Sequence, residues 1–216
     1  GSVTMRILIR LLGVLMIIAA ITLFFWQDIR EYFTDQVNER IITAYQAEDN
    51  DIEHVELNPL ESFVTGIEAS ETEGINIGND MAGVLEIESA DISEPVYWGP
   101  LTEEKMRNGV GFLEASDNLE MQNIPIAGHR VEGAGIRFNY IDRAELGDDI
   151  KFISRNETRV YEITEIFEVD PSEISVLDQT EGATQELTLI TCEDYNPDTL
   201  LFEKRLIVKA ELVSVE

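Results

Sequence analysis

The sequence predicts a mainly β domain that follows a membrane-spanning helix. An uncharged apolar run lies near the N-terminus, and short β-type runs separated by turn residues follow from about residue 81 onward. Helical periodicity is limited to a few brief stretches. Many short strands with few helices are typical of a closed barrel or a sandwich, and the pattern alone leaves both open. The 216 residues suffice for one full-sized domain with an additional segment.

The apolar run near the N-terminus has the length of a membrane span. Residues 11–26 carry no charge, and residues 7–10 extend the run to 20 residues, about what an α-helix needs to cross a core of roughly 30 Å. A cleaved signal peptide would be shorter and would end in small residues, whereas this run ends in Phe-Phe-Trp. Arg6 and Arg10 lie on the N-terminal side of the uncharged run 11–26, and acidic residues outnumber Arg30 just after it. The positive-inside rule therefore predicts a cytoplasmic N-terminus and an extracellular domain.

A helix and an acidic linker are predicted between the span and the folded domain. Apolar residues recur at three- and four-residue spacing at Ile29, Phe33, Val37, Ile41 and Ala44, a pattern typical of an amphipathic helix. Residues 48–80 are acidic and have no clear period, so we expect no regular element there. The predicted boundaries are a cytoplasmic segment 1–6 (of which residues 1–4 precede Met5), a span 7–27, a helix and linker 28–80, and a folded domain 81–216.

The strands of the folded domain are predicted from short apolar or alternating runs. These runs cover residues 84–87, 92–97, 124–127, 150–153, 160–163, 187–191 and 206–213. The stretch ISRNETRVYEI predicts a hairpin with its bend near residues 155–157. Short helices are predicted at residues 102–108 and 141–146.

The charge of the chain excludes one class of partner. Acidic residues number 43 against 15 basic ones, which gives a net charge of −28. Affinity for a phosphate backbone comes from Lys and Arg that release counterions, so we expect no nucleic acid binding. A well-solvated surface suited to a salty medium is the simpler explanation of the acidity.

Cys192 is the single cysteine, so no intrachain disulfide can form. A lone cysteine usually fills a core, and it is reactive only beside a base or a cation. Turn residues 196–199 predict a hairpin that places Cys192 opposite Glu203, with Arg205 diagonal on the same face. Such a neighbour would favour a thiolate and could stabilise an oxyanion, although an ordinary surface ion pair also accounts for the arginine.

The two histidines lie in different settings. His54 falls in the acidic segment EDNDIEHVELN, where a solvated side chain without a role is expected. His129 ends the β-type run NIPIAGH, and strand ends are where rigid scaffolds present catalytic groups. A histidine without a role remains the alternative for His129, because its sequence position does not place it near Cys192.

Taken together, these motifs resemble those of the class A sortases. The resemblance rests on TLITC at a strand end, on EKR with its arginine thirteen residues after the cysteine, and on IAGHR upstream. GVLEIESADISEPVYWGP, RNGVGF and GDDIKFISRNETRVYEITEI are similar to further family segments in the same order. The resemblance spans about residues 81–216. It implies an eight-stranded β-barrel with short helices, held at the outer face of a Gram-positive cell membrane.

The resemblance also implies a reaction and its residues. Cys192 would be the nucleophile, His129 the general acid and base, and Arg205 the group that holds substrate and stabilises the oxyanion. The substrate would be a Leu-Pro-x-Thr-Gly sorting signal on surface proteins, cleaved after threonine, and the acceptor an amine of the lipid-linked peptidoglycan precursor. The matching pocket positions are Leu101, Leu113, Ala127, Ile174, Val176, Leu177, Ile190 and Thr191. Leu101 and Leu113 are bulkier than the alanines associated with the family, which affects the expected pocket width.

No cofactor is required for this chemistry, and calcium is the one ion to consider. In some class A sortases calcium orders the loop between the sixth and seventh barrel strands, and this cation takes six to eight oxygen ligands. Glu114, Asp117 and Asn123 match that pattern, whereas Met121 and Gln179 replace expected carboxylates, and Glu181 is a candidate substitute. We therefore expect activity that is largely independent of calcium.

Two alternatives remain from sequence alone. One is a membrane-anchored extracellular cysteine peptidase that hydrolyses its acyl-enzyme with water. The other is a non-catalytic adhesive or scaffolding β-domain in which Cys192 and His129 are structural.

Overall fold

The computed structural model describes residues 2–47, 53–67, 74–130, 137–196 and 201–216. In the two strands on either side of residues 197–200, it describes side chains up to Thr191 and from Lys204 onward.

Eight strands close into a barrel, which confirms the predicted fold class. In chain order they are β3 (Met81–Ile87), β4 (Ile92–Tyr97), β5 (Val110–Phe112), β6 (Asn123–Ala127), β7 (Asp149–Ile153), β8 (Thr158–Val169), β9 (Glu186–Asn196) and β10 (Leu201–Val215), preceded by two short strands outside the barrel, β1 (His54–Val55) and β2 (Ile75–Asn76). Around the barrel the order is β10, β8, β7, β3, β4, β5, β6, β9. Neighbouring strands are antiparallel except for the parallel pairs β4–β5 and β6–β9.

The apolar runs predict seven of the eight barrel strands, and β5 is the exception. With three residues and a central glycine, β5 is too short to show an alternating pattern. The predicted β7–β8 hairpin forms, and its bend is closed by a hydrogen bond from the Ser154 amide to the Glu157 carbonyl at 2.9 Å. Residues 102–108 form α4 (Glu103–Asn108), capped by the Thr102 hydroxyl, whereas residues 141–146 contain only a 3₁₀ turn over Ile141–Arg143.

The interior of the barrel is filled by side chains from alternate strand positions. Leu85, Phe112, Ile124, Phe152 and Leu189 are all essentially inaccessible to solvent and belong to one cluster. Removing this much apolar surface from water is the main stabilising contribution to such a domain. The opposite face of the strands points away from this core, where it can pack against other elements or carry a site.

The N-terminal helix α1 (Ser2–Phe24) includes a stretch of 22 residues, Val3–Phe24, that is long and apolar enough to cross a membrane. None of this stretch is buried against the rest of the protein. Helix α2 (Trp26–Gln46) follows directly and docks on the barrel wall. Val37 and Ile41 of α2 are completely buried and share a cluster with Val84 of β3 and Tyr97 of β4.

The segment between α2 and the barrel differs from the predicted linker. It contains the β1–β2 ladder and the short helix α3 (Pro59–Thr65). Val55, Ile67, Ile75 and Ile77 of this segment are buried in the same cluster as α2. These residues are too widely spaced to produce a local period, because each is buried by a tertiary contact.

A buried ion pair connects α2, the barrel and the chain that follows the predicted catalytic histidine. Arg137 and Glu94 are 1% and 0% exposed, and the guanidinium donates to the Glu94 carboxylate. The same guanidinium donates to the Asn38 side chain of α2 at 3.0 Å and to the Arg107 carbonyl at the end of α4. Four separate parts of the chain therefore meet at this one arginine.

Arg137→Met is expected to destabilise the protein by about 3–5 kcal/mol, because it leaves the Glu94 carboxylate buried without its cation. The double variant Glu94→Leu with Arg137→Met should recover most of that loss, since no charge is then buried. Chemical unfolding of the full chain measures both changes, with the exposed Arg143→Met as the control. A double variant that is less stable than the single one would contradict this account.

Candidate active site

Two of the three predicted catalytic positions, 192 and 205, are paired on neighbouring strands, and the third, 129, lies two residues past the end of the strand on the other side of β9. On β10, Arg205 is directly opposite Cys192 of the antiparallel β9. On the other side of β9, Ala127 of the parallel β6 is opposite Ile190. His129 follows Ala127 by two residues and Cys192 follows Ile190 by two, so continuing this register brings position 129 beside position 192. The backbone alone therefore places a histidine, a cysteine and an arginine side by side.

The register of the β9–β10 hairpin differs from the predicted one by two residues. Cys192 pairs with Arg205 rather than with Glu203, because Leu201 pairs with Asn196 and all four residues 197–200 lie between the strands. A shift of two residues keeps every position on its original face of the sheet. The predicted common face of positions 192 and 205 is consequently confirmed.

His129 is held in place by its backbone. The amide of Gly128 donates to the Ile190 carbonyl at 3.1 Å, which extends the β6–β9 contact beyond the strand, and the His129 carbonyl accepts from the Phe138 amide at 3.0 Å. A Cβ on Gly128 would lie 2.6 Å from Val110 Cγ1 and 2.8 Å from Phe138 Cδ2. Only glycine permits this close packing, so the position of the histidine depends on it.

The imidazole of His129 is accessible and faces one carboxylate. Its side chain is 27% exposed, and its Nε2 lies 3.6 Å from Oε2 of Glu103, the first residue of α4. Because the Glu103 side chain is 71% exposed, solvent screens this contact, and it becomes an ion pair only when the imidazole is protonated. Glu103 has no signal in the sequence that singles it out, since its proximity to His129 depends on how α4 packs.

An apolar row lies directly below the polar row on the same face. Ala127, Ile190 and Ile207 are opposite one another on β6, β9 and β10, and all three are buried in one cluster. Partly buried side chains complete this apolar groove, namely Leu101, Leu113, Phe167, Val169 and Leu177, together with the buried Val176. Six of the eight predicted pocket residues are thus brought together. Alternation along β8 and β10 could have identified Ile207, Phe167 and Val169 as well.

The other two predicted pocket residues lie elsewhere. Ile174 is 73% exposed, beside the 3₁₀ turn Ser175–Leu177. Thr191 is 1% exposed on the opposite face of β9 from Ile190, and its Oγ1 has no hydrogen-bond partner within the described parts of the chain. Strand alternation gives this result, because residues one apart point to opposite faces.

Asn123 fixes the loop that carries part of the groove. Its buried side chain donates to the Val176 carbonyl at 2.9 Å and to the Asp178 carbonyl at 3.2 Å, and accepts from the Thr188 hydroxyl at 2.6 Å. The Gln179 side chain accepts from the Asn123 amide at 3.0 Å and donates to its carbonyl at 2.8 Å. The turn that carries Val176 and Leu177 is thereby attached to the start of β6.

This arrangement provides the groups that acyl transfer through a cysteine needs. A thiol can attack a carbonyl, a histidine can transfer a proton and a guanidinium can stabilise the resulting oxyanion. The apolar groove beside them suits an extended substrate with apolar side chains. Among the residues whose structure is described, no three His, Cys, Asp or Glu side chains converge to hold a metal ion.

Comparison with known proteins points to one family. The profile of the sortase domain matches residues 85–213. Sortase A of Staphylococcus aureus strain NCTC 8325 is 36% identical to this chain, over 94% of this chain and 95% of that protein. Sortase A of Listeria monocytogenes is 26% identical, over 99% and 92% respectively.

Solved structures give the same result for the fold. The crystal structure of Listeria monocytogenes sortase A superposes with a TM-score of 0.55 at 27% identity, over 63% of this chain and 90% of that one. The sortase D5 transpeptidase of Clostridium perfringens gives a TM-score of 0.57 at 26% identity, over 83% and 99%.

Proposed function

Since the chain belongs to the sortase family of cysteine transpeptidases, we propose that it cleaves a Leu-Pro-x-Thr-Gly sorting signal between threonine and glycine. The acyl group would pass to an amine of the peptidoglycan precursor and so anchor a surface protein to the cell wall. The observation that carries this proposal is the row of positions 129, 192 and 205 directly above the apolar row of Ala127, Ile190 and Ile207. Leucine and proline of the signal would occupy the apolar groove, with the threonine carbonyl at the polar row.

In the first half-reaction, the Cys192 thiolate attacks the threonine carbonyl carbon, and the electron pair of the C=O bond moves to oxygen. The guanidinium of Arg205 stabilises this oxyanion. When the tetrahedral intermediate collapses, the C–N bond breaks and His129 gives a proton to the departing glycine amine. A thioester on Cys192 and a released glycine peptide are the products of this step.

In the second half-reaction, the amine of the acceptor attacks the thioester. His129 removes the proton that this amine loses, and the Cys192 thiolate leaves, so the enzyme returns to its initial state. An amide bond has been broken and another formed, with no net consumption of water. The same reaction with water as acceptor would make the protein a peptidase.

The membrane arrangement that suits this reaction has the N-terminus in the cytoplasm and the barrel outside. Arg6 and Arg10 at the N-terminal end of the span, against Asp28, Glu31 and Asp35 after it, support this orientation. The barrel would then be on the side of the membrane where secreted surface proteins and the lipid-linked precursor meet.

The proposal is tested with the full chain in nanodiscs, a set of Leu-Pro-x-Thr-Gly peptides in which x varies, and triglycine as the acceptor. Mass spectrometry should find the peptide cut after threonine and joined to triglycine, while peptides with leucine or proline replaced by aspartate should react far more slowly. Hydrolysed peptide alone would support the peptidase alternative. No reaction with any peptide would support the non-catalytic alternative.

We further propose that the loop between β8 and β9 is ordered by its own contacts rather than by calcium. The two hydrogen bonds between Gln179 and the Asn123 backbone, and those from the Asn123 side chain to the same loop, support this proposal. Met121 Sδ, at a position expected to carry a ligand, accepts from the Asn118 amide instead. A thioether is a poor ligand for a cation that prefers oxygen.

Transpeptidation is expected to change less than about twofold between millimolar calcium and a chelator, because the loop is held by its own hydrogen bonds. The two reactions are compared at matched ionic strength, since screening alone alters the electrostatics of a chain of charge −28. Gln179→Ala should lower activity equally in both conditions, whereas Glu181→Ala, at an exposed loop position, should have little effect. A several-fold loss in chelator that calcium reverses and magnesium does not would contradict the proposal and would indicate Glu181 as a ligand.

A further inference from the structure

The short helix α3 exposes two large apolar side chains next to the end of the membrane-spanning helix. Leu60 and Phe63 are 59% and 76% exposed, and they lie one helical turn apart on the same face. The helix packs on the protein through Val64 and Thr65, which are 5% and 3% exposed. Helix α3 is therefore anchored on the protein by its C-terminal residues while Leu60 and Phe63 remain exposed.

This exposure is built into a well-defined helix. Asn58 and Glu61 form a reciprocal capping box at its start, Pro59 occupies the first turn, and Gly66 ends it in the left-handed conformation. The Glu61 carboxylate is also 2.9 Å from the guanidinium of Arg40 on α2, which attaches α3 to that helix. Because both ends and the inner face are fixed, the outward direction of Leu60 and Phe63 is fixed too.

A contact between two aromatic rings places α3 beside the end of the span. The ring centroids of Phe63 and Trp26 are 6.4 Å apart, and Trp26 begins α2 two residues after the span ends at Phe24. Backbone hydrogen bonds from Phe25 to Ile21 and from Ile29 to Phe25, both 3.0 Å, carry the helical bonding through the junction. Phe63 is thus near the membrane end of α2.

The length of the span places this contact at the level of the lipid headgroups. A helix of 22 residues is about 33 Å long, close to the roughly 30 Å of the hydrocarbon core, and the polar layer beyond it is about 5–8 Å thick on each side. With the span centred on the hydrocarbon core, Trp26 and Phe63 would fall within that layer, where aromatic side chains are enriched. Arg30, one turn after Trp26 and beside Gly66, adds a cation that suits lipid phosphate.

We propose that α3 is an interfacial helix that inserts Leu60 and Phe63 into the boundary between headgroups and acyl chains. The protein would then contact the bilayer at two places, the span and α3, and the second contact would restrict rotation of the barrel about the span. The acidic character of the chain, with a net charge of −28, makes the rest of its surface unsuited to anionic lipids, so the contact is confined to this apolar face.

The test uses a spin label in the full chain in nanodiscs of phosphatidylcholine and phosphatidylglycerol. In a Cys192→Ala background, a single cysteine is introduced as Phe63→Cys or, separately, as Leu60→Cys, and labelled. Leu146→Cys is the matched control, because Leu146 is an exposed apolar residue, 65% accessible, in the turn before β7 of the barrel. Two sites on α3 keep the test informative if one substitution disturbs folding.

The measured quantity is the ratio of collision rates of the label with oxygen, which partitions into lipid, and with a water-soluble nickel complex. Labels at positions 63 and 60 should give a ratio several-fold higher than the label at position 146. An equal ratio at all three positions would overturn the proposal. Labels on α3 that are shielded from both reagents would also overturn it, since they would indicate coverage by a protein or by a second copy of this chain.

Discussion

Cys192→Ala is expected to lower the rate of transpeptidation by a factor on the order of 10⁴ or more, because no other group in the row can form the covalent acyl-enzyme. Removing one sulfur atom should change the free energy of unfolding by only about 1 kcal/mol. Rates are measured from ligated product by mass spectrometry and stability from thermal melting. Cys192→Ser is the matched control and should be nearly as inactive, since a hydroxyl is a far weaker nucleophile than a thiolate.

The result that would contradict this expectation is a Cys192→Ala protein that is correctly folded and still ligates substrate at more than about one hundredth of the wild-type rate. The acyl group would then be carried by another residue, and the pairing of Cys192 with Arg205 would have no role in catalysis.

Arg205→Lys is expected to reduce kcat by roughly 10²–10³, the range found when one donor to an oxyanion is lost. A planar guanidinium can donate two parallel hydrogen bonds, whereas a lysine is a compact point charge on a flexible stem. The melting temperature should change little, because the charge is conserved. The loss should appear mainly in kcat rather than in KM, since the oxyanion exists only during the reaction.

Lys204→Arg is a suitable control for this substitution. It makes the reverse exchange at the neighbouring position, which lies on the other face of β10 and whose side chain contacts Asp170 at 2.7 Å. We expect it to leave kcat unchanged. If Arg205→Lys retains near-wild-type kcat, the arginine forms only a surface ion pair and the oxyanion must be stabilised by other groups.

The strands around the site could be predicted because their signal is local. Residues 187–191 of β9 alternate between the barrel interior, with Leu187 and Leu189, and the outer groove, with Ile190. Such alternation follows from the two-residue period of a strand. The common face of positions 192 and 205 could be predicted for the same reason, although the pairing itself shifted by two residues with the length of the connecting loop.

Other features of the protein could not be predicted because they depend on contacts between residues that are distant in the sequence. Arg137 and Glu94 are separated by 43 residues, and neither has neighbours that identify it as buried. The contact between Glu103 and His129 depends on the packing of α4. The apolar residues of the β1–β2 segment, such as Ile75, have no period, since they are buried by α2 rather than by an element of their own.

The most direct test of the account is the intact mass of the protein during a single turnover. The full chain in nanodiscs is mixed with a Leu-Pro-x-Thr-Gly peptide without an acceptor, quenched in acid and weighed, and triglycine is added to a parallel sample. We expect a mass increase equal to the peptide up to threonine, located on the fragment that contains Cys192, and its conversion to ligated peptide when triglycine is present. Two results would contradict the transpeptidase mechanism. One is ligated product that forms without any adduct on Cys192, and the other is an adduct that is hydrolysed by water but never transferred to triglycine.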